Sequence, residues 1–342
     1  MQQPRITFLG HASFLLQSKD FNLLIDPWLS SNGAYFNSWY QFPCNHHLSD
    51  WILSLIKMDT RPTYVYISHN DKDHIDSNFI SSLPAGVNYF IPKFQSISML
   101  ESLIKHQKIN RDNVTVFEDE ETFNLFDYEL TFFIQDSGRE SDSAIMIKGK
   151  GISFFNSNDC KLHDRLHYIT KKFGVIDILA MQFSGASWYP VSYKHFLGDK
   201  KYESISKKKR ILKFRALTNV IKYCGIKNYI PSAGPPCFLD PYLFETNFEK
   251  ENIFPDTDRI VDHLRKQKDL NVIEMLPGQY FQWPSLTVKR DHNQPKPEIS
   301  FEVLKKSKED YLRKYQASRA ADFLERESKE IKFDVVLQCV RE

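Results

Sequence analysis

Residues 69–74 carry the side chains of this sequence that are best suited to metal chemistry. They place four potential ligands, His69, Asp71, Asp73 and His74, directly after an apolar run at residues 63–68. A tight loop at the end of a buried strand can aim all four side chains at one point, which a regular helix or strand cannot. Imidazole nitrogens and carboxylate oxygens bind zinc and non-haem iron, and two ions can share such a loop. The spacing therefore predicts a metal centre.

The elements around this loop alternate between strands and helices. A strand at residues 64–68 leads into the loop, and a strand–helix–strand unit and then a meander of strands follow. Continued alternation predicts mixed sheets covered by helices on both outer sides, which is an α/β (α+β) fold of the αββα four-layer type. We expect residues 1–285 to form this domain. Residues 286–342 would add a C-terminal extension with a charged helix at about 305–329 and a possible strand after it.

The spacing His-x-Asp-x-Asp-His of residues 69–74 resembles the metal loop of the metallo-β-lactamase superfamily, which is usually His-x-His-x-Asp-His. Residues 6–29 resemble the opening hairpin of that fold, and the hairpin leads into a loop at Asp26. Residues 152–159 resemble the later strand whose terminal aspartate, here Asp159, bridges two metals. The resemblance implies a metallo-β-lactamase four-layer sandwich with a dinuclear centre. We expect Asp26 to orient a metal-binding histidine or to brace the loop.

The same resemblance implies a set of ligands. The predicted metal ligands are His69, Asp71, Asp73, His74, Asp136 and Asp159. Asp136 is the strong candidate for the third ligand of the ion that His69 and Asp71 would hold. The final histidine of the family is missing near residues 230–234, and Asp240 or a water could replace it.

Two residues are candidates for a catalytic role beside the metals. Asp73 could orient a nucleophile, and His11, at a turn that the family places near the metals, could support a ligand or contact substrate. A hydrogen-bonded turn histidine is the alternative for His11. The carboxylate-rich ligand set favours two ions of iron or manganese over zinc, because hard oxygen donors stabilise higher oxidation states. We therefore favour iron, with zinc or manganese as the alternative.

Residues 182–190 and 231–238 resemble segments of the CMP-N-acetylneuraminate hydroxylase group. Those enzymes join a metallo-β-lactamase-like domain to a Rieske iron–sulfur domain and insert oxygen into a C–H bond. A Rieske cluster needs two cysteines and two histidines close together, but the two Cys–His pairs here, at residues 44–46 and 160–163, lie far apart. Electrons would then come from a separate Rieske-type or ferredoxin-type protein, or from a domain outside this chain.

Three functions are compatible with these features. The favoured one is a diiron oxygenase or hydroxylase acting on a small polar metabolite, such as a nucleotide sugar or an amino-acid derivative. The alternative is a dinuclear zinc or manganese hydrolase of a phosphodiester, lactone or amide. The third is a non-catalytic binding or scaffold subunit, suggested by the missing histidine and by the charged helix, which would be its docking element.

Composition excludes several other classes. A formal net charge of +2 gives no whole-protein argument for nucleic acid or anionic membrane. The basic run at residues 207–210 reads as a solvated segment that could attract an anionic substrate. Five scattered cysteines without a Cys-x-x-Cys pair indicate a reducing compartment. No signal-like start or apolar run of about 20 residues is present, so we expect a cytoplasmic protein.

Overall fold

The computed structural model describes residues 3–95, 99–107, 109–137, 141–185, 187–292, 294–295 and 301–327. The strands are β1 Arg5–Gly10, β2 Ser13–Gln17, β3 Asn22–Ile25, β4 Tyr40–Gln41, β5 Thr63–Tyr66, β6 Asn88–Pro92, β7 Val114–Phe117, β8 Thr122–Leu125, β9 Tyr128–Asp136, β10 Ser141–Gly149, β11 Ile152–Asn156, β12 Ile178–Gln182, β13 Asn228–Ser232, β14 Pro236–Cys237, β15 Asn271–Val272, β16 Tyr280–Gln282 and β17 Ser285–Lys289. The helices are α1 Ala34–Asn37, α2 Ser49–Met58, α3 Ser77–Ser82, α4 Met99–Gln107, α5 Leu166–Phe173, α6 Lys194–Leu197, α7 Asp199–Tyr223, α8 Thr257–Leu264 and α9 Phe301–Glu327.

Most of these strands form two mixed sheets. The first has the order β17-β16-β1-β2-β3-β5-β6-β7, and the second has the order β15-β13-β12-β11-β10-β9-β8. In the first sheet β3, β5, β6 and β7 run parallel, while β1 and β2 form an antiparallel hairpin. In the second sheet β11, β12 and β13 run parallel next to the antiparallel meander β8–β10. A small third pair joins β4 to β14.

Three apolar clusters separate four layers. One lies between the sheets, where residues such as Phe14 and Tyr66 of the first sheet meet Phe132 and Phe154 of the second. Another packs α2, α3 and α4 onto the outer face of the first sheet. The third packs α5, α7 and α8 onto the outer face of the second sheet. Since strands alternate their side chains between two faces, both sheets bury both faces. The predicted αββα sandwich is confirmed.

The metal loop leaves the carboxyl end of β5 beside the end of β3. The parallel register pairs Ile25 with Tyr66, so Asp26 and the residues after Tyr66 leave the sheet side by side. The loop after β11 leaves the second sheet, whose β11 and β12 also run parallel. Loops at the carboxyl ends of parallel strands are the usual place for functional residues in α/β folds. Both sheets therefore contribute side chains to one region.

The chain beyond residue 285 remains attached to the main body. Strand β17 pairs with β16, which pairs with β1, so the first sheet continues to Lys289, past the predicted boundary at 285. Helix α9 buries Leu312 against Tyr40 and Leu239. The predicted strand after this helix lies outside the described residues. Within the described helices, none has the length and apolar character that a membrane span needs.

Helix α9 also makes polar contacts with three places elsewhere in the sequence. Arg319 donates a hydrogen bond to the carbonyl oxygen of Ser31, in the loop before α1. Gln316 Nε2 donates to the carbonyl oxygen of Leu239 at 3.2 Å. Nearer its start, Lys308 forms an ion pair with Asp256. The predicted C-terminal helix thus packs along the main body rather than away from it.

Candidate metal centre

The loop at residues 69–74 folds back on itself through two backbone hydrogen bonds. The amides of His74 and Ile75 both donate to the carbonyl oxygen of Asp71, at 3.0 and 2.8 Å. This turn brings the start and the end of the loop together, so that the rings of His69 and His74 lie 4.1 Å apart, centroid to centroid. The side chains of His69, Asp73 and His74 are buried, while the Asp71 carboxylate reaches the surface. The structure therefore gathers the four ligands predicted in this loop.

Asp26 fixes this loop through hydrogen bonds to Ser68 and His74. Its buried carboxylate accepts hydrogen bonds from the Ser68 amide at 2.7 Å and from His74 Nδ1 at 2.8 Å. Ser68 Oγ donates to the same carboxylate. With Nδ1 donating to Asp26, His74 presents Nε2 to the centre, and such outer carboxylates orient metal-binding imidazoles. Asp26 thus orients His74 and braces the loop, which agrees with its predicted role.

One group of donor atoms surrounds His69. Its Nε2 atom lies 3.5 Å from Asp71 Oδ2 and 3.5 Å from Asp142 Oδ1. Asp142 is near the start of β10, and the sequence analysis does not predict it as a ligand. The resemblance to the family predicts a ligand at the end of β9, although the neighbouring strand of the antiparallel pair reaches the same place.

The prediction for Asp136 is corrected by the strand register. Asp136 pairs with Ser141 across β9 and β10, and Gln135 pairs with Asp142. Directly opposed residues share a face and adjacent residues alternate, so Asp136 and Asp142 point to opposite faces of this strand pair. The Asp136 carboxylate accepts hydrogen bonds from the Gln95 amide at 2.6 Å and from Ser141 Oγ at 2.9 Å. Asp142, rather than Asp136, therefore lies beside His69.

The second group of donor atoms surrounds His74. Its Nε2 atom lies 3.8 Å from Asp73 Oδ2 and 3.7 Å from Asp159 Oδ2. His11 approaches from the turn between β1 and β2, and its Nε2 atom lies 3.2 Å from Asp73 Oδ2. Donor atoms of His11, His74 and Asp159 all lie within 4.8 Å of one another. His11 therefore supplies a third imidazole to the centre, while Asp240 accepts a hydrogen bond from the Tyr242 amide in its own turn.

Aromatic rings keep His11 in this position. Trp28 and Trp39 meet the imidazole edge to face, at centroid distances of 5.6 and 6.1 Å. The backbone at His11 has φ of 49°, directly after Gly10 with φ of 110°, and this left-handed turn sends the side chain towards the loop. The two tryptophans thus act as packing supports for a residue of the centre.

Tyr35 joins the centre, although no ligand motif in the sequence predicts it. Its hydroxyl donates a hydrogen bond to Asp73 Oδ1 at 3.0 Å, and its ring stacks on Trp39. Burial, and then the negative charge of Asp73, raises the pKa of Tyr35 well above its usual value, so the hydroxyl keeps its proton. This contact leaves Asp73 Oδ2 facing His11 and His74. The aromatic composition of the loop at residues 35–43 is the one sequence signal for it.

The fit to metal ions rests on buried polar atoms. Within the described part of the chain, no hydrogen bond satisfies the buried atoms His11 Nε2, His69 Nε2, Asp73 Oδ2, His74 Nε2 and Asp159 Oδ1. Leaving such atoms unpaired costs about 1–3 kcal/mol each. Donors that share one ion at about 2.1 Å lie about 3.0–3.5 Å apart, close to the separations of 3.2–3.8 Å seen here. The residues present therefore fit bound cations.

Electrostatics agree with this fit. Burial disfavours a charged His74, but Asp73, Asp159 and Asp26 raise its pKa well above the usual value. Burial also disfavours a charged Asp73, but His74 and His11 hold its pKa below the usual range. Burial raises the pKa of Asp142 against the opposing effect of His69. Because bound metals take neutral imidazole, a divalent cation would displace the extra proton that His74 holds.

Comparison with known proteins agrees with the fold and the loop. Residues 5–162 match the family described as the beta-lactamase superfamily domain, and this segment contains each predicted metal ligand. This chain is a metallo-β-lactamase-fold protein. A possible metal-dependent hydrolase from Veillonella parvula matches with a TM-score of 0.54 and 13% identity, over 82% of this chain and 99% of that one. A mutant of the β-hydroxylase CmlA matches with a TM-score of 0.50 and 14% identity, over 82% of this chain and 54% of that one.

Two curated relatives of this metallo-β-lactamase-fold chain are named as Rieske 2Fe-2S iron-sulfur proteins. The one from Mycolicibacterium smegmatis is 31% identical over 330 residues, which is 93% of this chain and 61% of the relative. The one from Mycobacterium tuberculosis is 32% identical over 286 residues, which is 80% of this chain and 52% of the relative. The chain thus spans between half and two thirds of the length of these relatives.

The contrast between Asp142 and Asp136 can be measured directly. We expect Asp142→Ala to bind metal beside His69 at least about tenfold more weakly, because it removes a carboxylate facing that imidazole. Asp136→Ala is the matched control, with the same change six residues away on the opposite face, and should keep its full metal content. Metal per chain is read by mass spectrometry after dialysis against a chelator. Equal loss from both variants would contradict the assignment.

Proposed function

We propose that this protein is a dinuclear metal-dependent oxygenase with iron as the favoured metal. The observation that carries the proposal is the donor set around the two histidines of the loop. Its members are His11, His69, His74, Asp71, Asp73, Asp142 and Asp159. Carboxylates outnumber imidazoles in this set. Hard oxygen donors suit iron and manganese, whereas sites rich in histidine suit zinc.

The donors divide into two groups that would hold one ion each. His69, Asp71 and Asp142 would hold the first ion, and His11, Asp73 and His74 would hold the second, with Asp159 shared between them. Two bound irons would supply the redox chemistry that oxygen activation needs. The protein contributes the orientation of these side chains. Asp26 fixes the His74 ring, and Tyr35 leaves one oxygen of Asp73 free for an ion.

The proposed substrate is a small polar metabolite, such as a nucleotide sugar or an amino-acid derivative, and the proposed electron donor is a Rieske-type or ferredoxin-type protein or domain. The names of the curated relatives support the donor, since both name a Rieske 2Fe-2S protein. The fold neighbour CmlA is described as a diiron β-hydroxylase of Streptomyces venezuelae, which supports oxygen chemistry on this fold. The chain spans only part of the length of these relatives. A redox partner for it is therefore proposed and not observed.

A dinuclear zinc or manganese hydrolase is the second candidate. A stretch of 71 residues is 31% identical to a UPF0173 metal-dependent hydrolase of Desulforamulus reducens, covering 21% of this chain and 23% of that protein. In such an enzyme the bound metals would lower the pKa of a water to about 7, so that it attacks a phosphodiester, lactone or amide. This reaction needs no electron donor, which makes the two candidates separable.

Metal content and oxygen uptake distinguish the candidates. We expect protein purified without added metal under nitrogen to carry about two irons per chain, because of its carboxylate-rich donors. Photochemically reduced protein should then take up oxygen, and Asp71→Ala should lose both properties. If the protein instead carries two zinc ions and hydrolyses esters or phosphodiesters under nitrogen, the hydrolase becomes the proposed function. Folded protein that binds no metal even when supplied with it would support the scaffold instead.

A further inference from the structure

The carboxyl end of β12 carries a group of lysines that the proposed metal chemistry does not use. Lys213 lies on α7 and reaches over the end of the second sheet, where its ammonium donates a hydrogen bond to the carbonyl oxygen of Ser184. Lys209, one turn earlier on the same helix face, donates to the carbonyl oxygen of Tyr189 at 2.8 Å. Lys161 follows Asp159 by two residues and also acts on Lys213 electrostatically. We call Lys161, Lys209 and Lys213 the lysine cluster.

This lysine cluster has an electrostatic cost. Like charges four residues apart on a helix destabilise it, and burial followed by repulsion from Lys209 and Lys161 lowers the pKa of Lys213 to about 8. Among the described residues, no carboxylate forms an ion pair with Lys213. An ammonium has three donors. Within the described part of the chain, the hydrogen bond to Ser184 engages one of these donors, so the others could contact an anion of a bound molecule.

The lysine cluster borders the metal centre through Gln182. The Gln182 side chain donates to the carbonyl oxygen of Asp159, whose carboxylate faces His74. Gly185 has φ of +71°, and a Cβ atom there would lie 3.2 Å from Lys213 Nζ and 3.5 Å from Gln182 Oε1. The absence of a side chain at Gly185 thus leaves space over both groups. A molecule in that space would reach Lys213 while lying next to the residue that both ions would share.

We propose that the lysine cluster is a subsite for an oxyanion of the substrate, either a phosphate or a carboxylate group, with Lys213 as its central contact. This subsite rests on the proposed function in one respect, because the part of the substrate that reacts is taken to lie at the metal centre. Lys209 and Lys161 add positive charge around the anion, and ammonium–oxyanion hydrogen bonds are among the stronger ones in proteins. Lys209 Nζ lies 4.8 Å from the centre of the Tyr189 ring, and this exposed ring and that of the neighbouring Trp188 could supply apolar surface for the rest of the substrate.

Titration with small anions at constant ionic strength tests this subsite. Inorganic phosphate is the first probe and acetate the second, with binding followed by NMR line broadening of the probe. We expect saturable binding of one or both probes to wild-type protein, weakened about tenfold in Lys213→Met. Lys222→Met removes an exposed lysine of the same helix and should bind as wild type does. Stronger binding of phosphate would indicate a substrate with a phosphate group. Stronger binding of acetate would indicate a substrate with a carboxylate group.

Each titration is done on metal-loaded and on chelator-treated protein. Binding that depends on Lys213 in both preparations supports the subsite, even if the metal later proves to be zinc. Binding that requires metal and ignores Lys213 overturns it, because the anion then occupies the ions instead. Circular dichroism checks the fold of each variant. If Lys213→Met does not fold, Lys209→Met provides the same comparison at a partly exposed position, with an expected loss of about threefold, and unchanged binding there overturns the proposal.

Discussion

His74→Ala is expected to lower metal affinity by more than about 100-fold, the largest effect of any single change at the centre. The substitution removes the Nε2 donor that faces both Asp73 and Asp159. It also leaves the buried Asp26 carboxylate without one of its hydrogen-bond donors. Affinity is measured by competition with a chromophoric chelator, and content by mass spectrometry. If the protein is the proposed oxygenase, oxygen uptake by its reduced form should disappear together with the metal.

His167→Ala is the matched control for this experiment. His167 is an exposed residue of α5, outside the donor groups of the centre. Metal affinity and content of this variant should equal those of the wild type. If His74→Ala retained two tightly bound ions per chain, the assignment of the second donor group would be wrong.

Asp26→Ala is expected to lower the free energy of unfolding by about 3–5 kcal/mol, even in protein without metal. Asp26 is fully buried, and its carboxylate accepts hydrogen bonds from the Ser68 amide, from Ser68 Oγ and from His74 Nδ1. Alanine would leave these donors buried and unpaired. Urea denaturation of chelator-treated protein measures this cost apart from the stability that bound metal adds.

Asp112→Ala, at an exposed position before β7, is the control and should change stability by less than about 0.5 kcal/mol. Asp26→Asn keeps the shape of the side chain and one acceptor oxygen, so its stability should fall between those of wild type and Asp26→Ala. An Asp26→Ala midpoint equal to that of the wild type would mean that the loop has another support. In that case the bracing role of Asp26 would have to be withdrawn.

The loop and the four layers could be predicted because their causes are local. The apolar run before His69 is long enough for a buried strand, and the ligands follow within six residues, so no distant contact has to be known. The alternation of strands and helices likewise limits the arrangements that bury both faces of each sheet.

The complete donor set could not be predicted, because it depends on long-range register. The choice between Asp136 and Asp142 is decided by which residues of β9 and β10 oppose each other, and the sequence carries no mark of that pairing. His11 approaches Asp73 across 62 residues of chain, through a left-handed turn and two supporting tryptophans. Such positions result from tertiary packing, which a periodic pattern does not encode.

The contacts of α9 have a consequence for how accurately the centre is positioned. Arg319 of this helix donates a hydrogen bond to the backbone at Ser31, and α1, which follows this loop, carries Tyr35, whose hydroxyl donates to Asp73. The positions of the donor atoms around Asp73 therefore depend on segments as far apart in the sequence as His11, which follows β1, and the C-terminal helix. The contact of this distant helix with Ser31 is thus one of the anchors of the segment that positions Asp73.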